Sequence, residues 1–147
     1  MKIFIDKIDT LMVKPIGYTN LNSYPVHFKC ATFAALARFV PAGENPEAYL
    51  NYEIDVEIAH ECIKGLCESN NRHPQVIPLA EEFSYHVRGE VQAINYHVEP
   101  AGSRTTYVVA GDAAFALTLA ETGSLSLSKG EMVEFDAHGL SLWDESI

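Results

Sequence analysis

Alternation of apolar and polar positions dominates this chain, and a period of two marks half-buried strands. The clearest run has Leu50, Tyr52, Ile54, Val56 and Ile58 apolar against Asn51, Glu53, Asp55 and Glu57 polar, which predicts a strand over 50–58. Ile3, Ile5, Ile8, Leu11 and Val13 change phase midway, so a strand over 2–13 is expected to carry a bulge. Pro15, Gly17, Asn20, Asn22 and Ser23 make 14–24 a loop, after which Val26, Phe28 and Cys30 alternate with His27 and Lys29 as a second strand. Residues 31–40 fit two descriptions, because their alanines favour helix while Phe33, Ala35, Ala37 and Phe39 alternate; Pro41 to Pro46 follow as a loop.

At Ala59 the spacing changes. Ala59, Cys62, Ile63 and Leu66 fall on one helical stripe that Ser69, Asn70, Asn71 and Pro74 terminate, so one short helix is predicted near 59–69. Gly65 weakens it by about 1 kcal/mol relative to alanine. Strand patterns then fill the second half: Phe83 to Val87, Val91 to Val98 after a bulge near Gly89, Thr105 to Ala110, Ala114 to Ala120, Gly130 to His138, and Leu140 to Trp143. Turns fall at Pro100 to Ser103 and Gly111-Asp112, with a Gly123 to Lys129 connection. The chain is therefore expected to be mainly β with antiparallel strands, α+β being the alternative. It forms a single domain over 1–147, or two subdomains covering 1–83 and 84–147.

A long kinked strand carrying Val91 and Ile94, two strands joined at Gly111-Asp112, a connector and the Gly130 to Val133 segment together resemble an OB-fold. The resemblance covers about residues 84–144 and implies a small five-stranded barrel in the C-terminal half.

Charge constrains what such a barrel binds. Ten Lys and Arg oppose twenty Asp and Glu, a net charge of −10. The excess lies toward the C-terminus, where Arg104 and Lys129 are the only bases after residue 88, against nine acids. A groove that tracks phosphates needs a positive lining, so the balance argues against nucleic acid and points to a basic protein partner. Apolar stretches such as Phe33 to Ala37 are far below the ~20 residues of a membrane span. Charges at Lys2, Asp6, Lys7 and Asp9 interrupt any export signal, and three cysteines fit a reducing cytoplasm better than a disulfide framework.

No complete catalytic or cofactor motif appears. His60, Cys62 and Cys67 have metal-ligand chemistry, but on a helix Cys62 would lie about 160° from His60, so no metal is assigned. The Gly102-Ser103 and Gly123-Ser124 pairs fall in turns and carry no nucleophile motif. Asp136 and His138 share a strand face with Glu134 beside them, and His86 and His97 flank the kinked strand; this is the one constellation offered for an enzyme. Tyr18, Tyr24, Tyr49, Tyr52, Tyr85, Tyr96, Tyr107 and Trp143, set among many acids, suit protein recognition or, alternatively, core filling.

The sequence thus leads to a small, acidic, non-enzymatic protein-binding factor of the inhibitor, immunity-protein or nucleic-acid-mimic kind, without cofactor. Glu131, Glu134, Asp136, Tyr96 and Tyr107 are its expected partner-binding residues. Two alternatives accompany it: OB-type binding of a single strand or small ligand stacked on Tyr96, Tyr107 or Phe115, and an enzyme using His138 and Asp136.

Overall fold

The computed structural model describes residues 1–147 apart from Tyr18, Thr19, Glu44 and Ser124, so Tyr18 of the aromatic set and Ser124 of the Gly123-Ser124 pair lie outside the described residues. Twelve strands fill most of the described chain: β1 Lys2–Ile8, β2 Lys14–Pro15, β3 Asn22–Lys29, β4 Ala34–Val40, β5 Glu53–Ala59, β6 Cys62–Glu68, β7 Gln75–Pro78, β8 Tyr85–Tyr96, β9 Arg104–Ala110, β10 Ala113–Thr118, β11 Met132–His138 and β12 Ser141–Asp144. A 3₁₀ turn spans Pro46–Tyr49 and a one-turn helix, α1, spans Leu119–Thr122. The protein is mainly β, with antiparallel pairing dominant and a closed five-stranded barrel.

The barrel is not built from the C-terminal half. β1, β3 and β4 form an antiparallel meander, β4 pairs in parallel with β12, β12 runs antiparallel to β5, and β5 closes the ring on β1. This is the Greek-key order of an OB-type barrel, with β6 to β11 inserted between its fourth and fifth ring strands. The inserted strands form an open second sheet ordered β10-β9-β8-β11-β6, with β7 beside the start of β8. The boundary at residue 83 thus falls within the inserted sheet. One hydrophobic core runs through both sheets, from Ile3, Phe28, Phe39 and Leu142 in the barrel to Val91, Phe115 and Phe135 in the insertion.

The predicted helix at 59–69 is a strand. Gly65 adopts a left-handed φ of 69°, and the β6–β11 register gains a residue there, so Ile63 and Leu66 both face the core at a spacing of three. A bulged strand imitates one turn of an amphipathic helix. The only α-helix among the described residues is instead α1, whose capping box joins the Thr118 side chain to the Glu121 N–H and the Glu121 carboxylate to the Thr118 N–H. Residues 34–40 are strand, their alternation winning because Ala37 and Phe39 fill the barrel. β1 ends at Ile8, and the Asp9 carboxylate accepts from the Leu11 N–H in the turn that follows. In β8 the bulge lies between Val91 and Ala93 rather than at Gly89.

Two polar staples hold the insertion to the barrel. Asp112, in the β9–β10 turn, accepts from the Ala31 N–H at 3.0 Å, from Cys30 Sγ at 3.1 Å and from the Thr32 hydroxyl, all at the β3–β4 turn. Tyr85 of β8 bonds both backbone groups of Leu36 in β4.

Candidate functional site

Where the inserted sheet passes the barrel, two clefts of about 570 and 360 Å³ share Ile58 and Ala116 and so make one groove between β5 and β10. Its lining includes the carboxylates Glu57, Glu61, Asp112, Glu121 and Glu145 and no Lys or Arg side chain, the cation among them being the N-terminal ammonium of Met1. Alternation along β5 turns Glu53, Asp55 and Glu57 outward together, and Lys2 is the cation set against them, 3.1 Å from Asp55. Ala114, Ala116 and Thr118 alternate outward along β10, and Tyr107 lies directly across from Ala116 on β9.

Two of the five acids are committed to the fold. Glu121 bonds His60 Nε2 at 2.7 Å through one oxygen and the Thr118 N–H at 3.0 Å through the other. That pair is the most buried histidine–carboxylate contact among the described residues, with side chains 7 % and 19 % exposed. Burial works against the charge of Asp112, but the Thr32, Cys30 and Ala31 hydrogen bonds outweigh it and hold its carboxyl below the ordinary aspartate range. Burial also pushes the Cys30 thiol up. Glu57, Glu61 and Glu145 remain exposed at the rim, Glu145 with its Oε1 3.9 Å from the Met1 ammonium.

The acids expected to bind a partner sit elsewhere. Glu134 and Asp136 face outward from β11, directly across from Arg88 and His86 on β8. Glu134 Oε1 accepts from Arg88 Nε at 2.6 Å, and Asp136 Oδ1 lies 2.7 Å from His86 Nδ1. The Arg88 hydrogen bond holds the Glu134 carboxyl below the ordinary glutamate range. Glu131 precedes β11 with Oε2 buried and unpartnered among the described residues. Tyr96 is 75 % exposed at the end of β8, whereas Tyr107 is half-buried in the groove. Tyr49 and Tyr85 serve packing, Tyr49 edge-on to Phe39 at 5.0 Å and Tyr85 in the core.

Asp136 and His138 take different partners. His138 Nδ1 lies 2.9 Å from Ser84 Oγ and 3.5 Å from Glu81, and its Nε2 is buried without a hydrogen bond among the described residues. Ser84 is itself buried and shares Nδ1 with the acid, so the three do not form a relay to an accessible hydroxyl. Phe115 is fully buried against Phe135 and cannot stack on a ligand. His60, Cys62 and Cys67 do not converge, and among the described residues no group of three His, Cys, Asp or Glu could hold a metal ion. No helix among them is long and apolar enough to cross a membrane.

The His60–Glu121 contact escaped the sequence reading, although Thr118-x-x-Glu121 is a capping-box spacing that could have located α1 and fixed Glu121 at its third position. No protein-family model matches the chain, and no curated protein and no solved structure is detectably similar to it.

Proposed function

We propose that this protein is a non-enzymatic binding factor that docks a basic segment of a partner protein in the β5–β10 groove. The observation that carries the reading is a lining with five carboxylates against one cation, the Met1 ammonium beside Glu145, and no Lys or Arg side chain. Electrostatic complementarity of this kind speeds association and discriminates between partners. Tyr107 remains in the proposed contact set as an aromatic anchor. Glu134 and Asp136 are set aside, because a carboxylate already bonded to arginine or histidine has less to offer a second cation, and Glu131 because it does not line this groove. Together with a net charge of −10, the groove fits an inhibitor, an immunity-type neutraliser or a nucleic-acid mimic acting in the cytoplasm.

Fluorescence anisotropy with a short extended peptide alternating lysine and valine, against a glutamine-for-lysine analogue, tests this. The lysine peptide should bind, weaken with added salt, and lose on the order of tenfold in affinity to an E57K/E145K variant of unchanged circular dichroism. Equal binding of both peptides, or indifference to the double reversal, would overturn the assignment.

A second reading has its own support. The outer face of β3 and β4, where OB-folds take oligonucleotides and oligosaccharides, has a cleft of about 310 Å³ whose lining includes Lys7, Arg38, His27 and Phe83 together with the acids Asp9 and Glu82. Arg38 lies over the Phe83 ring at 5.4 Å, and Phe83 holds a left-handed φ of 60°, rare for a bulky side chain. Chemical-shift mapping with single-stranded oligonucleotides and oligosaccharides decides it: perturbation confined to Lys7, Arg38 and Phe83 favours this face, and no perturbation at low salt removes it.

A further inference from the structure

We infer that the basic segment docks by adding a strand to the exposed edge of β10, an inference that rests on the acidic-groove reading and specifies its geometry. β10 ends its sheet and pairs with β9 alone among the described residues. The Gly111-Asp112 turn leaves Ala110 and Ala113 opposite one another, the closing pair of a two-residue hairpin. Hydrogen bonding in an antiparallel pair alternates, so Ala113, Phe115 and Leu117 bond to β9, and the N–H and C=O groups of Ala114, Ala116 and Thr118 point off the edge. Thr118 shows this direction independently, since its N–H is taken by Glu121 rather than by β9. Glu121 therefore caps one end of the edge. The backbone groups of Ala114 and Ala116 make no hydrogen bond outside the sheets among the described residues.

Edge strands are ordinarily guarded by lysine, proline, a bulge or shortness. β6 carries Lys64 and the Gly65 bulge, β7 is four residues long and ends in Pro78, and β2 is two residues long and includes Pro15. β10 has none of these: its six residues carry no charge and no proline, and its register with β9 is unbroken. The outward side chains beside the edge are small, Ala114 and Ala116, and the two clefts lie along them with β5 as the far wall. Main-chain bonding would supply affinity and the rim carboxylates Glu57, Glu61 and Glu145 would select lysine or arginine. A second copy of this chain would bring two such acidic rims together, so charge favours a basic partner over self-pairing.

Amide hydrogen exchange on the intact protein, with the lysine–valine peptide and an analogue N-methylated at alternate residues, tests the inference. Ala114 and Ala116 amides should gain protection on the order of tenfold or more with the first peptide, and the N-methylated analogue, equal in charge, should fail to bind. Ala116→Pro removes an off-edge N–H without touching the β9 ladder and should abolish binding in a folded protein. Peptide binding with unchanged Ala114 and Ala116 exchange, and equal affinity for the analogue, would overturn strand addition while leaving the acidic groove standing. Failure of the lysine peptide to bind at low salt would overturn both. Concentration-dependent protection of the same amides without peptide would make a second copy the occupant and overturn the basic-segment assignment.

Discussion

The Tyr85 hydroxyl stands in for a missing strand beside Leu36. It donates to the Leu36 carbonyl at 2.5 Å and accepts from the Leu36 N–H at 2.6 Å. β12 pairs with β4 only at Arg38, Phe39 and Val40, so Leu36 lies beyond the end of its parallel neighbour and would otherwise leave both groups without a backbone partner on that side. The ring itself is buried in the core that joins barrel and insertion, and burial raises the phenol above its ordinary pKa.

Tyr85→Phe keeps the ring and removes the staple. Stranding two partly buried backbone groups should cost on the order of 1–3 kcal/mol, read in urea as a lowered midpoint with an unchanged slope. An unaltered midpoint would mean that water replaces the hydroxyl without loss.

Gly89 is required for space. A Cβ there would meet the Val109 carbonyl oxygen at 2.7 Å and Val108 Cγ1 at 2.8 Å, where β9 crosses close to β8. Backbone cannot swing aside as a side-chain end can. Gly89→Ala should therefore destabilise by about 1–3 kcal/mol, while Gly65→Ala, which meets open space but has a left-handed φ of 69°, should cost only about 1 kcal/mol. Equal midpoints for the two variants would contradict this ordering.

What the sequence made legible was periodic and local. Val26 and Phe28, Val56 in β5 and Phe135 in β11 lie on strands as their alternation requires. Ile63 and Leu66 misled because a bulge and a helical turn both bring residues three apart to one face, and only the pairing with β11 separates the two. Barrel closure was hidden for another reason: the four residues of β12 pair with Arg38 to Val40, about a hundred positions earlier, and no local pattern encodes that contact. The same distance limited the charge reading. The excess of acids was countable, but that Arg88 and His86 would lie across from Glu134 and Asp136, leaving Glu57, Glu61 and Glu145 as the exposed groove acids, depends on strand register.

Asp112 gives a pH signature. Its carboxyl is held below the ordinary aspartate value of 3.8, so the folded state binds the proton less readily than the unfolded chain. Its contribution is complete above the unfolded pKa and is lost as pH falls through the folded one. The stability difference between the protein and its Asp112→Asn variant should therefore be flat from neutrality to about pH 5 and shrink below about pH 4. A difference that grows on acidification would reverse the assigned sign. The variant also tests the staple to Ala31, Cys30 and Thr32, because loosening it should speed amide exchange at the β3–β4 turn.

His60 and Glu121 should be strongly coupled. Glu121 serves α1 through Thr118 and the barrel-side wall of the groove through His60, so Glu121→Ala removes the cap and the histidine's partner together. His60→Ala removes only the second contact. If the 2.7 Å contact carries a charge-assisted hydrogen bond in a largely buried setting, a double-mutant cycle should return a coupling on the order of 1–3 kcal/mol, with the double variant no less stable than Glu121→Ala by more than a few tenths. Additive losses would mean that the two side chains are stabilised separately and merely adjoin. Glu121→Gln divides the contributions further: the amide can still meet Thr118 and His60 but without the charge. Retained stability for that variant beside a loss for Glu121→Ala would assign the interaction to hydrogen bonding. In that case Glu121 would matter to a basic partner as one more groove charge, whereas Glu57 could be reversed at little cost to the fold and Glu145 only by placing a second cation beside the Met1 ammonium.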